Sequence, residues 1–135
     1  MNPVRVVNDR HIDLIVYCQG VERKHWLAFL AKWTLDTTAL DELSFELYKT
    51  ASHIAASEKW RMRKDRDYVQ EMADMAVFEM QYPKLLDTGE KRAEYMGINK
   101  SNWYRNLGSK YQAVYGLLNE WTNIAYRKIL KNQEM

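Results

Sequence analysis

The stretch RAEYMGINKSNWYRNLGSKYQ, residues 92–112, concentrates side chains that can exchange hydrogen bonds with a nucleic-acid duplex. Asn99, Lys100, Ser101 and Asn102 follow one another, with Tyr104 and Arg105 a turn later. An Asn amide can pair with both the donor and the acceptor on an adenine edge, and Arg or Lys with the two acceptors of guanine. Ser, Tyr and the first N–H groups of a helix suit phosphates. Lys110, on the helix that follows, would line the DNA backbone or simply keep that helix solvated.

Presenting such groups requires short helices with defined ends. Asp87 or Thr88 can cap a helix over 89–96, and Gly97 can end it in left-handed geometry, where glycine has no Cβ clash. Asn99 can cap a second helix over 100–107 by accepting a backbone N–H. Gly108 then reads as a stop, and S-x-x-Q at 109–112 as the capping box of a third helix. A helix-turn-helix needs two short helices, a small residue at their approach and an apolar wedge beside the turn. Ala93 is the small residue here, and Met96, Ile98 and Trp103 are the wedge. One position departs from the pattern, since Asn106 stands where an aliphatic residue would turn inward, with Leu107 next to it. A solvated helical hairpin within a bundle is the plainer reading of the same residues.

Upstream, Ile12, Ile15 and Val16 recur at helical spacing over 9–17, before Gly20. Trp26, Phe29, Leu30 and Trp33 mark one face of a helix over 21–33. Thr38 and Asp41 resemble a capping box in front of a stripe of Leu40, Leu43, Leu47, Ala51, Ile54 and Ala55, predicting a helix over 39–60. Val69, Met72, Met75, Ala76 and Met80 predict another, which Pro83 closes through its constraint on Tyr82. The segment QYPKLLDTGE is a linker. Tyr111, Val114, Tyr115, Leu118, Trp121, Ala125 and Ile129 form the stripe of a long last helix, read as core that braces the motif, with a homodimer face as the other use of so many aromatics.

The chain has 135 residues, 47% of them hydrophobic, with five Trp, nine Tyr and only five Gly and two Pro. Strand-like runs of Val, Ile and Thr are nearly absent, so an all-α single domain of about six helices is expected over 1–135, with a helical half at 1–66 and the helix-turn-helix half at 67–135. Cys18 is the single cysteine, which excludes an internal disulfide or a Cys-pair zinc site. His11, His25 and His53 make no ligand set, so neither metal nor cofactor is expected. Glu42 with Glu46, and Asp74 with Glu79, lack a nucleophile or phosphate loop beside them and read as solvated acids, so no catalytic residue is assigned. No window approaches the ~18 apolar residues of a membrane span, and a cytoplasmic protein is expected.

Net charge is +2, with eight Lys or Arg against four acids from Glu90 onward. Lys59, Arg61, Arg63, Lys64 and Arg66 crowd eight positions beside Glu58, Asp65 and Asp67. They could grip phosphates, releasing counterions, or form a solvated helix face. Arg127, Lys128 and Lys131 have the same two readings.

The stretches YVQEMADMAVFEM and RAEYMGINKSNWYRNLGSKYQAVYGLLNEWTNIAYRKI, within 68–129, resemble the C-terminal part of bacteriophage Q-type late-gene antitermination proteins. In that family a helix like MADMAVFE precedes a helix-turn-helix of the form R-A-x-x-x-G-I-x-x-S-x-W-x-R. The resemblance implies a transcription factor in a bacterial host that binds promoter-proximal double-stranded DNA and acts on RNA polymerase. Several relatives carry paired cysteines before the helix-turn-helix, where this chain has QYPKLLDTGEK, so zinc does not transfer. The alternative function is a helical protein-interaction module without DNA binding.

Overall fold

The structure, a computed structural model, describes residues 20–34, 36–61 and 66–133. Among these there are five helices and no strand. They are α1 (Arg23–Leu30), α2 (Thr37–Ser57), α3 (Tyr68–Gln81), α4 (Gly89–Met96) and α5. Helix α5 opens as Lys100–Asn102, passes through a π-helical turn at Trp103–Leu107 and continues as Gly108–Gln133. A 3-10 turn, Pro83–Leu86, leads from α3 toward α4. The helix expected over 9–17, together with His11, Cys18, Arg63, Lys64 and Asp65, lies outside the described residues.

Helix α3 is the centre of the fold because nine of its fourteen residues are buried, including Met72, Ala73, Met75 and Ala76. A helix apolar on most of its circumference must be covered on several sides. Helix α2 covers one side with Leu43, Leu47 and Ala51, and the Ser44 hydroxyl donates to Asp74 across that contact. The other side is covered by Tyr111, Val114 and Leu118 of α5. Helix α1 lies on the C-terminal half of α5, where His25 meets Trp121 at 6.1 Å and Phe29 meets Tyr126 at 6.2 Å between ring centres. Core residues from Leu27 to Trp121 make one cluster, so both halves of the chain share it.

Two helix ends differ from expectation. Helix α2 is capped by Asp36, whose carboxylate accepts from the N–H groups of Thr38 and Ala39, so it begins before the predicted Thr38 box. It also stops at Ser57, short of residue 60, because the chain closes a Schellman motif there. The N–H of Trp60 reaches the Ala55 carbonyl at 2.9 Å and that of Lys59 reaches Ala56 at 3.3 Å. The motif puts Lys59 at φ 54°, a left-handed conformation that costs a residue with a Cβ about 1–2 kcal/mol. Part of that is returned as chain entropy if glycine is substituted. Lys59→Gly is therefore expected to stabilise the chain by about 0.5–1 kcal/mol, read as a higher urea midpoint.

Among the described residues the count is five helices, where about six were expected of the whole chain, and the third difference explains part of it. Gly108 is no stop: its φ and ψ are −58° and −45°, and α5 runs through it. Ser109 is accordingly inside a helix and caps nothing.

Candidate nucleic-acid interface

The junction of α4 and α5 is built from local signals. The Thr88 hydroxyl accepts the Lys91 N–H at 3.2 Å to start α4. Gly97, at φ 66°, ends it with a second Schellman motif, in which the N–H groups of Gly97 and Ile98 reach the carbonyls of Glu94 and Ala93, each at 3.0 Å. After this three-residue bend the Asn99 side chain accepts the Asn102 N–H at 2.7 Å and starts α5. Ala93, Met96 and Trp103 are buried and Ile98 packs against the core, so the expected wedge is formed. The approach is close. A Cβ on Gly89 would stand 2.8 Å from Trp103 Nε1 and 2.9 Å from the Tyr104 hydroxyl, so the first turn of α4 accepts Trp103 only as glycine.

A buried polar clamp fixes this unit to α3. Arg92 of α4 makes two hydrogen bonds to the Glu79 carboxylate, at 2.8 and 3.2 Å, and the Tyr111 hydroxyl of α5 donates to the same carboxylate at 3.0 Å. The Arg92 guanidinium also lies 5.6 Å from the centre of the Tyr111 ring. Glu79 is 6% exposed, which corrects its reading as a solvated acid. Its position was legible in part: on α3 it falls three residues after Ala76 and four after Met75, squarely on the apolar stripe. What the stripe does not carry is which cation meets it.

Burial drives the Tyr111 phenol far above the ordinary tyrosine value, and the Glu79 charge adds to this. Tyr115 and Tyr95 are shifted upward for the same leading reason. Their folded forms keep protons that the unfolded chain loses above about pH 10. Stability from this source is thus complete below that pH and falls as pH rises past it. The unfolding free energy from urea curves is expected to decline above about pH 10 at up to ~1.4 kcal/mol per pH unit through the fully buried Tyr111, and less steeply in Tyr111→Phe.

The π turn explains the departure at Asn106. Trp103, Leu107 and Tyr111 all point inward and are spaced four apart twice in succession, and each such step in a regular α-helix would drift about 40° around the axis. The wider turn, closed by the Gly108 N–H on the Trp103 carbonyl, absorbs the drift. Leu107 stays in the core and Asn106 faces solvent. A Cβ at Gly108 would lie 3.2 Å from that carbonyl, so the small residue serves the passage of the helix rather than its end.

Of the residues predicted to meet DNA, Asn99, Lys100, Ser101, Tyr104 and Arg105 are exposed along the leading part of α5, and Asn102 is half-buried beside them. Tyr104 is 60% exposed. The Asn99 amide is already used as a cap, and Lys110 Nζ donates to the Asn106 carbonyl at 2.7 Å. Lys100 lies 3.5 Å from Glu90, while Arg105 has no ion pair among the described residues. Exposed Glu90 and Glu94 on α4 leave the field around this edge mixed.

Of the basic run between α2 and α3, the structure describes Lys59, Arg61 and Arg66. Lys59 and Arg61 are exposed near the end of α2. Arg66 is held by Glu71 through two bonds of 2.6 Å, lies over the Tyr68 ring and donates to the Met96 carbonyl. Its guanidinium therefore caps the last turn of α4. Arg127 is 22 residues beyond Arg105 on α5, about 33 Å at 1.5 Å per residue, and Lys128 and Lys131 lie further still. Among the described residues no helix is long and apolar enough to cross a membrane, and no group of His, Cys, Asp and Glu could hold a metal ion.

Comparison with protein families, with curated proteins and with solved structures returns no match to this chain.

Proposed function

We propose that this chain is a DNA-binding transcription regulator of the phage or prophage Q-like antiterminator kind, which acts on RNA polymerase in a bacterial host. The observation that carries the proposal is the leading edge of α5. Lys100, Ser101, Tyr104 and Arg105 stand free of the core on a helix that is capped at Asn99 and braced beneath by Trp103 and Leu107. Polar groups held on a rigid helix lose little freedom when they meet base edges. The motif residues of the resemblance support the same reading: Arg92 and Ala93 anchor α4, Gly97 and Ile98 form the bend, and Trp103 fills the wedge.

Fluorescence anisotropy with labelled duplex across a salt series tests it, because phosphate neutralisation makes affinity fall steeply with salt. On a selected site, Arg105→Ala is expected to weaken binding by about 1–3 kcal/mol and to affect random duplex less. An equal loss on both would contradict base reading by Arg105.

A protein-interaction module is the second reading, favoured by the aromatic patch beside the motif. Phe78 lies 5.2 Å from Tyr82 and 5.3 Å from Tyr95, and Tyr82, Leu85 and Tyr95 are each more than 40% exposed. Under it, no duplex binding is seen even at low salt.

A further inference from the structure

On the DNA-binding reading above, we propose that Asn102 and Asn106 form a single reading unit for an adenine·thymine pair. Asn102 touches the base, and Asn106 is its positioning residue. The side-chain N–H of Asn106 donates to the Asn102 side-chain carbonyl at 2.6 Å, on the solvent side of α5. Both ends of the pair are fixed. The Asn102 backbone N–H is held by Asn99 at 2.7 Å, and the Asn106 backbone carbonyl accepts from Lys110 Nζ at 2.7 Å.

The chemistry follows from how many bonds an amide can make. An Asn side chain has two N–H donors and two lone pairs. With one lone pair of Asn102 given to Asn106, its NH2 and remaining lone pair are left for a ligand, and the bond fixes which end of the amide points which way. Adenine asks for one donor at its N7 and one acceptor at its N6 amino group, side by side, in the major groove. An Asn102 amide already oriented meets that demand without a search between its two flipped forms.

The π turn makes the unit possible. It holds Trp103 and Leu107 inward together and so delivers Asn106 to the outer face, one turn beyond Asn102. The same turn explains why a polar residue occupies 106: on this path it never enters the core.

The test is a selection from random-sequence duplex with the full chain and with Asn102→Ala, Asn106→Ala and Asn106→Gln, followed by anisotropy on the enriched site with its A·T pair changed to G·C. The wild-type chain is expected to enrich a fixed A·T pair and to discriminate against G·C there by about five- to 150-fold. Asn102→Ala should abolish that preference. Asn106→Ala should reduce it at least several-fold while thermal stability and preference at other positions hold, and Asn106→Gln, which keeps a donor, should restore part of it. Discrimination in Asn106→Ala equal to wild type would overturn the positioning role and leave DNA binding standing. A wild-type site with no A·T pair that depends on Asn102 would overturn the unit itself. Failure of the wild-type chain to retain any duplex at low salt would instead remove the DNA-binding reading on which the proposal rests.

Discussion

Replacing Arg92 with alanine is expected to destabilise the chain by about 3–5 kcal/mol, because it strands the Glu79 carboxylate inside the protein. The Arg92 side chain is 17% exposed and that of Glu79 8%, so little water can take over the lost contacts. Only the Tyr111 hydroxyl would remain on the acid. The size of the effect lies in the asymmetry between breaking a buried pair and replacing it. A double variant, Arg92→Met with Glu79→Gln, removes the stranded charge and should recover much of the loss. Urea unfolding of the two variants beside wild type measures both quantities. A single-variant cost under about 1 kcal/mol would show that the pair behaves as a solvated one.

Trp103→Ala should cost a similar amount, about 3–5 kcal/mol, through the cavity left by a buried indole. Trp103 is 2% exposed, tilts against Tyr111 at 5.6 Å and fills the close approaches at Gly89 and Gly108. Its neighbours cannot collapse into the space, since α4 is tied to α3 by Arg92 and α5 continues as one rod. DNA affinity should fall with stability in this variant, whereas Arg105→Ala, on the surface, should change affinity and leave the urea midpoint within about 0.5 kcal/mol of wild type. Measuring both properties on both variants separates support of the proposed reading edge from contact by it.

The α4–α5 junction was legible because its signals act over a few residues. Thr88, Gly97 and Asn99 each satisfy, or free, a backbone group within a turn of themselves, and the structure uses all three as expected. Gly108 misled for the same reason. A glycine followed by S-x-x-Q is a local stop and start, yet the buried series Trp103, Leu107, Tyr111 and Val114 crosses it unbroken, and packing against α3 outweighs a local preference of about 1 kcal/mol. The inward Leu107 was the available clue, being four residues from both Trp103 and Tyr111.

What the amino-acid order determined by itself was the helical class, the bend at Gly97 and the polar character of residues 99–106, since composition, apolar period and caps are properties of neighbouring residues. Only the tertiary structure decided that Glu79, Arg92 and Tyr111 meet, that Arg66 leaves the basic run to cap α4 at Met96, and that a π turn sends Asn106 outward. Those outcomes join side chains up to 32 positions apart or balance one helix against another. Hydrogen bonding and close packing between distant segments set them, and no local pattern carries that information.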